Sequence, residues 1–358
     1  MQDDSSQALR VRSDTTFALS LRLGDLIGEL RESTDHLQNV RARVANALAA
    51  TGAAILHVVN ECIRLRTTRI GIDLTLDLVE EELQIERGLI LDAINQLETF
   101  EDQVREQIGI QRGVKENLER DWSDKMVAFR IDEAAYRMLP GSRETVTMLR
   151  YPAVARFPEG MVDIPVWEVR FQENVALAEK QIQSGRQLRD KCAPFLSSLA
   201  VQLQRQSDRV DDALKKRIYE TESQKGRLEH QLKLVLQEMV KSEDSIAQLR
   251  SALRVDPLEA GMRLAQTRLY NRTFRPCEEM TRDVAQFKLI NEVQELNVSR
   301  DALQAQVSQG EGALQVLRGI RIGLEKEIAV KDHSIVVDKE RCLTVRGLYP
   351  SLTVLMGK

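Results

Sequence analysis

A heptad pattern in the last third of the chain constrains the fold more than any other feature. Steps of four and three residues, alternating from Leu289 to Ile335, place apolar side chains at ten of fourteen positions. Such a repeat is sustained only where helices pack along one another over many turns. The sequence therefore predicts a coiled-coil segment over 282–338.

The leucines of this seam are predicted to be buried: Leu303, Leu314, Leu317 and Leu324. Arg300 and Arg321 fall on the same seam, so we expect each guanidinium to be paired or to lie at the edge, because an unpaired buried charge is costly. The same steps from Val210 to Leu253 give a second seam with a polar middle. That second seam predicts a partner helix that packs loosely at its centre.

Proline placement divides the chain, since an interior proline costs a helix about 3 kcal/mol. No proline precedes Pro140, and four prolines, Pro140 included, lie within twenty-six residues. We expect an all-α, elongated coiled-coil rod whose four long helical segments fold back as an antiparallel hairpin or bundle about a turn near residue 152. The predicted divisions are a first half of 5–139 with helices 5–70 and 72–139, a Pro-rich loop 140–166, a helix 167–253, a break 254–281, the segment 282–338 and a tail 339–358.

Composition argues against a large compact enzyme. Only 4% of residues are aromatic and 30% are charged, which suits long helices better than globular cores. The net charge of −4 offers no polycationic surface for nucleic acid or an anionic membrane. We therefore expect a soluble intracellular protein with neither nucleic acid nor membrane as partner.

Motifs for chemistry are lacking in the sequence. Phosphate loops, dinucleotide fingerprints, nucleophile elbows and EF-hand spacings do not occur, and the four histidines and four cysteines are widely separated. We therefore expect no enzyme activity, no cofactor and no metal site.

Two short stretches contain arginines without acids. One carries Arg64, Arg66 and Arg69, and the other carries Arg263, Arg268, Arg272 and Arg275 with Tyr270, Phe274 and Pro276. One interpretation is helix-surface charge offset by a neighbouring helix. The other is a docking patch in which guanidinium groups bind carboxylates and an aromatic side chain fills a pocket.

The second stretch resembles the signature loop of the tektins, a TRLxNRTYRP lead that runs into RPNVELCRD. The nonapeptide is matched at Arg275, Pro276, Glu279, Arg282 and Asp283. Met280 stands for the family's Leu, whereas Cys277, Glu278 and Thr281 replace its Asn, Val and Cys. The segment is thus similar to a divergent tektin signature.

Three other stretches carry the resemblance across 55–346. Glu61 to Leu83 is similar to ECLxHRxxRxGIDLVxDxVExEL and includes Cys62, Arg66 and Arg69. Leu118 to Asp132 is similar to LExDLxDKxxAxxID. The tail fits the family pattern at Lys331, Ser334, Asp338, Arg341, Cys342 and Arg346.

The resemblance implies a non-enzymatic, filament-forming protein of the axoneme of cilia and flagella, within the cytoskeleton of the cytoplasm. Implied partners are tubulin in the lumen of doublet microtubules, other tektins head-to-tail and laterally, and other microtubule inner proteins. The residues expected at protein interfaces are Cys62, Arg66, Arg69, Arg268, Arg272, Phe274, Arg275, Pro276, Glu279, Arg282 and Asp283. The alternative is a generic cytoplasmic coiled-coil scaffold or tether with no microtubule role.

Overall fold

Long helices dominate the computed structural model, which describes residues 2–139, 160–254 and 257–358. Among these residues the regular structure is entirely helical, as the all-α prediction requires. The α-helices are α1 (Gln2–Ala49), α2 (Leu56–Arg66), α3 (Leu78–Arg137), α4 (Ile164–Arg254), α5 (Pro257–Arg272), α6 (Val284–Ile335), α7 (Leu343–Arg346) and α8 (Leu352–Leu355). The π-helical turns Ala50–Ile55 and Val336–Cys342 continue α1 and α6, and the 3-10 turns Gly71–Asp73 and Cys277–Glu279 lie in the interruptions.

The helix bounds differ from the predicted divisions at the prolines. Pro140, Pro152 and Pro158 lie outside the described residues, but α4 already begins at Ile164 with Pro165 in its first turn. Within the predicted break 254–281, α5 begins at Pro257 and runs to Arg272. The physical reason is that the first turn of a helix tolerates proline, because its N–H groups have no partner inside the helix. A proline in the sequence can therefore mark the first turn of a helix as well as a loop.

The helices belong to two compact units. Unit 1 comprises Met1–Ile63, Leu78–Asp212 and Val345–Lys358, and unit 2 comprises Arg64–Asp77 and Ala213–Thr344. In unit 1 the core is formed by α1, α3 and the first part of α4. Its buried cluster contains Leu23, Leu26, Leu30, Val114, Leu118, Phe171, Ala178 and Ile182.

Contacts in unit 1 fix the directions of its helices. The pairs Glu82–Gln206 and Phe100–Phe195 show that α3 runs antiparallel to α4, as the folded-back arrangement requires. Ile90 lies between Glu82 and Phe100 on α3 and is fully buried. The predicted turn near residue 152 lies outside the described residues.

A buried polar layer interrupts the apolar core of unit 1. The fully buried Gln111 donates to Ser33 at 3.0 Å and to the carbonyl of Gln181 at 2.9 Å, and it accepts from Thr34 at 3.1 Å. A Cβ added at Gly185 would meet the Gln111 and Ser33 side chains at 2.4 and 2.6 Å. If the helices shifted along one another, the buried Gln111 amide would lose its hydrogen-bond partners. This layer therefore favours one register of α1, α3 and α4.

In unit 2 the second part of α4 packs antiparallel to α6. The salt bridges Arg250–Glu311 and Lys225–Asp332, at 2.5 and 2.6 Å, connect the two helices at opposite ends. Along this contact lies a small apolar core of Met239, Ile246, Val307 and Leu314, with Val235, Leu249, Leu253 and Leu317 against it. The two predicted seams therefore face each other over the part that joins 235–253 to 307–317, whereas Leu296 lies against Gly261 of α5.

Seam positions differ in burial within α6. Leu314 is buried, whereas Leu303, Leu317 and Leu324 are partly buried. Arg300 contacts the neighbouring Asp301 and is exposed, and Arg321 lies 3.4 Å from Glu325. The expectation that both arginines pair or lie at the edge is confirmed.

One helical stretch, Asp3–Arg66, contains an 18-residue window with a mean hydropathy of 1.4. By length and composition alone this window could cross a membrane, and 33% of it is buried inside the protein. A helix that packs on two neighbours needs the same apolar composition. The window is therefore weak evidence for a membrane segment, and the expectation of no membrane partner stays a prediction.

The buried seam of unit 2 can be tested with Leu314→Ala. We expect a loss of about 2 kcal/mol in the free energy of unfolding, at the low end for a buried leucine because the two-helix seam is open on its sides. Urea unfolding followed by circular dichroism measures it. The control Val298→Ala removes methyl groups from an exposed side chain of the same helix and should change the free energy of unfolding by less than about 0.5 kcal/mol. Equal effects of the two substitutions would contradict the seam assignment.

Candidate functional site

The first interruption of the helices, residues 64–77 of unit 2, is held by a shared carboxylate. We call this segment the first loop. Asp77 accepts hydrogen bonds from Arg66 at 2.6 Å and from Arg69 at 2.9 Å. The Arg66 side chain has no exposed area, so its charge is neutralised where water cannot reach it.

Carboxylates and a cation from distant parts of unit 2 complete this network. Asp338, which lies in the π-helical turn Val336–Cys342, binds Arg66 at 2.6 Å. Asp73 accepts from Lys331 at 2.5 Å and from Ser334 at 2.9 Å. The first loop is therefore attached to the C-terminal end of α6 by charged hydrogen bonds.

The signature loop, residues 267–283, is held in the same way. Asp283 lies 2.5 Å from a guanidinium nitrogen of Arg272 and 3.3 Å from one of Arg275. The carboxylate also caps α6, because it accepts from the Gln286 backbone N–H at 2.8 Å. The hydrogen bond from Arg272 and that from Gln286 lower the pKa of Asp283 to about 2.

The two loops share one design. Each has two arginines three residues apart, then a 3-10 turn, then an aspartate eight residues after the second arginine. Residues 66, 69 and 77 of the first loop thus correspond to residues 272, 275 and 283 of the signature loop. The sequence analysis noted both arginine stretches but missed this repeat. The signal was present in the sequence as the Arg-x-x-Arg spacing followed by an aspartate eight residues later.

The expected interface residues fall into two groups. Arg66 and Arg69 are buried in the first loop, and Cys62 is buried in unit 1. In the signature loop Arg272, Arg275 and Asp283 are partly buried and bind one another, whereas five side chains are exposed: Arg268, Phe274, Pro276, Glu279 and Arg282. Among the expected residues, these five are therefore the ones available to a partner.

The aromatic side chains of the signature loop form an exposed pair. Phe274 is 68% exposed and packs edge-on against Tyr270, with ring centroids 5.0 Å apart. A shallow groove beside them is lined by Leu269, Arg272, Thr273, Arg275, Met280, Thr281, Arg282 and Gln286. Apolar and guanidinium groups placed together in this way suit contact with a protein surface.

A further clamp holds the C-terminal tail in unit 1, and the sequence reasoning did not include it among the site residues. Arg346 donates to Glu86 at 2.9 Å, to the Ser207 hydroxyl at 2.9 Å, and to Asp211. Burial alone would lower the pKa of Arg346, but the bonds to Glu86 and Asp211 outweigh it and raise that pKa. The guanidinium therefore remains charged and links α3, α4 and α7.

In the charged clusters described above, each carboxylate is bound by at least one cationic side chain. Within residues 2–139, 160–254 and 257–358, no three His, Cys, Asp or Glu side chains are grouped to hold a metal ion. These ion-pair clusters can fix the shape of the loops in which they lie.

The role of the buried clamp can be tested with Asp77→Asn. We expect a loss of about 3 kcal/mol in the free energy of unfolding, because Arg66 and Arg69 lose the carboxylate they share while Asp338 still binds Arg66. The matched control Glu259→Gln breaks the exposed Arg263–Glu259 pair and should cost less than about 1 kcal/mol. Chemical unfolding measures both variants, and an equally small loss from Asp77→Asn would show that the clamp contributes little.

The signature clamp predicts a pH dependence. Since the folded-state pKa of Asp283 is depressed, its contribution to stability is present above the unfolded value near ~4 and is lost as pH falls through about 2. A carboxyl NMR titration should give a midpoint at about 2, and Arg272→Gln should raise it. Arg263→Gln in the same helix is the control and should leave the midpoint unchanged. A midpoint near ~4 in the unmodified protein would contradict the clamp.

Comparison with known proteins identifies the family of the chain. The model of the Tektin family matches residues 1–350. The chain is 35% identical to Tektin-4 of Bos taurus, over 97% of this chain and 79% of that protein. It is 34% identical to Tektin-4 of Mus musculus and 33% identical to Tektin-4 of Homo sapiens, over 98% and 99% of this chain and 79% and 80% of those proteins. The resemblance of the two loops and the tail is thus extended to nearly the whole sequence, and the chain belongs to the tektin family of structural filament proteins.

Proposed function

We propose that this protein is a structural filament component of ciliary and flagellar doublet microtubules, and that its signature loop is a docking site for a neighbouring protein. Family membership supports the filament role, since tektins are structural proteins. The observation that carries the docking role is the signature loop itself. Its ion pairs are satisfied internally, yet its aromatic side chains are exposed.

The arginines of the loop have different roles in this proposal. Arg272 and Arg275 bind Asp283, so they hold the loop in one shape. Arg282 and Arg268 are exposed, and Arg282 lines the groove beside Phe274. In this proposal the exposed side chains make the contact with the partner. Phe274 enters an apolar pocket of the partner, and Arg282 binds a carboxylate of the partner next to that pocket.

The proposed partners are those that the family implies. They are tubulin in the lumen of the doublet, other tektins end to end and side by side, and other microtubule inner proteins. A net charge of −4 gives the chain no general attraction to acidic surfaces. Binding in the lumen then depends on shape and on local arginine contacts, with location in the axoneme as the consequence.

A double substitution, Phe274→Ser with Arg282→Glu, tests this function. We expect incorporation into axonemal doublets in ciliated cells to fall at least tenfold, because the apolar anchor is lost and the charge is reversed. The melting transition of the purified protein should stay within about 2 °C, since neither side chain belongs to the Asp283 clamp. Fluorescence of the tagged protein along the axoneme, relative to total expression, measures incorporation.

The matched control makes the same chemical changes on exposed positions of α6, Val298→Ser with Lys326→Glu. It should incorporate normally. Normal incorporation of the signature variant would contradict docking through this loop. Failure of the unmodified protein to enter axonemes would favour the alternative of a generic cytoplasmic scaffold.

A further inference from the structure

One threonine hydroxyl of the signature loop is left without a hydrogen bond. Residues 267–283 contain three threonines, and the hydroxyls of Thr267 and Thr273 donate to backbone carbonyls of the preceding helical turn at 2.6 and 2.7 Å. Within the part of the chain that the structure describes, the Thr281 hydroxyl makes no such bond. Thr281 is exposed and lies in the non-helical stretch 280–283, so its hydroxyl is accessible to a modifying enzyme.

The shallow groove of this loop, which we call the signature groove, has a surplus of positive charge. Thr281 lines it together with Arg272, Arg275 and Arg282. Asp283 is bound by Arg272 and Arg275, whereas Arg282 is exposed and has no ion-pair partner among the described residues. The two glutamates of the loop do not line the groove. One carboxylate thus offsets one of three guanidinium charges and leaves two without an acid.

A phosphoryl group fits this surplus better than a carboxylate does. A phosphate on a side chain carries a charge of about −1.5 to −2 at pH 7 and three acceptor oxygens, so several guanidinium groups can bind it at once. A carboxylate has a single charge and two oxygens in one plane, and one guanidinium satisfies it with two parallel bonds. The chemistry of the groove therefore favours a phosphoryl dianion as its ligand.

We propose that Thr281 is a phosphorylation site and that its phosphoryl group binds in the signature groove. In the modifying step a protein kinase brings a nucleoside triphosphate to the threonine hydroxyl. The hydroxyl oxygen forms a bond to the γ-phosphorus, and the bond between that phosphorus and its bridging oxygen breaks. The nucleoside diphosphate leaves with the electron pair of that bond, and a base of the kinase takes the hydroxyl proton. The product is a phosphothreonine beside Arg282, in the groove that Arg272 and Arg275 also line.

This inference deepens the proposed function and rests on it, because it names how docking through the signature loop is regulated. Arg282 is the guanidinium that the proposed function assigns to a carboxylate of the partner. A phosphoryl group on the residue before it binds Arg282 within the chain and repels the partner's carboxylate. Phosphorylation of Thr281 should therefore prevent docking, although Phe274 remains exposed.

Phosphorus NMR of the full-length protein tests whether the groove holds the phosphoryl group. Phosphothreonine is incorporated at position 281 during synthesis, and the chemical shift of its phosphorus is followed against pH. Guanidinium groups favour the dianion, so we expect its second pKa to lie at least about 0.5 unit below the usual value of ~6. Arg282→Gln should raise that pKa towards ~6.

The matched control for this titration is Arg268→Gln. It removes an exposed guanidinium of the same loop that does not line the groove, so the pKa of the phosphate should stay unchanged. A pKa near ~6 that does not respond to Arg282→Gln would overturn the proposal.

Mass spectrometry measures whether the modification occurs. Tagged full-length protein is isolated from ciliated cells with phosphatases inhibited, separately from the soluble fraction and from axonemes. We expect a phosphopeptide with the modification on Thr281, and an occupancy at least tenfold higher in the soluble fraction, because the modified chain does not dock. Equal occupancy in the two fractions, or an unmodified Thr281 in both, contradicts the proposal.

These outcomes separate the inference from the proposed function. If Phe274→Ser with Arg282→Glu is lost from axonemes while Thr281 is unmodified in both fractions, regulation by phosphorylation fails and the proposed function stands. If Phe274→Ser with Arg282→Glu enters axonemes normally, docking through the signature loop fails, and its regulation by Thr281 fails with it.

Discussion

A carboxylate shared by two arginines is the interaction on which the first loop and the signature loop each depend. Where a helix ends, backbone groups lose their partners, and the chain between two helices must be ordered at a cost of roughly 1–2 kcal/mol per residue. Asp77 and Asp283 each receive two guanidinium groups, so one side chain fixes the residues before and after the turn. The first loop and the signature loop therefore each have a defined shape.

The surroundings of the two clamps determine what each contributes. The first-loop clamp lies where Arg66 and Arg69 are buried, so removing Asp77 takes from Arg69 the carboxylate it binds and leaves Arg66 with Asp338. The signature clamp is partly open to water, which screens the attraction between Arg272 and Asp283. Of the two clamps, the first-loop clamp should therefore contribute more to stability, and the signature loop keeps the exposed side chains that we propose for contact with a partner. The burial of Arg66 and Arg69 also shows why an arginine stretch in a sequence does not by itself identify a docking patch.

The sequence predicted the structure best where the determining interactions repeat along a helix or join residues that are close in the chain. The heptad pattern from Leu289 to Ile335 predicted a helix correctly because such a repeat depends only on neighbouring turns, but of the four leucines predicted to be buried only Leu314 is fully so. The resemblance to tektins rested on continuous stretches of residues. Contacts between distant residues were missed. Arg346 with Glu86, and Arg66 with Asp338, join residues more than 250 positions apart, and no local pattern pairs them. Gln111 is fully buried against Ser33 and Thr34, although hydropathy assigns such a residue to the surface.

A heptad seam cannot by itself set the position of one molecule along another. A shift by seven residues, about 10 Å along the axis, returns apolar side chains to apolar side chains, so the energies of successive registers are similar. Features that do not repeat must therefore fix the axial position. In this chain such features are the polar layer at Gln111 within unit 1 and, on the surface, the first loop and the signature loop. Each loop occurs at one place in the chain and holds one shape, so each can fix a register that the heptad repeat leaves open.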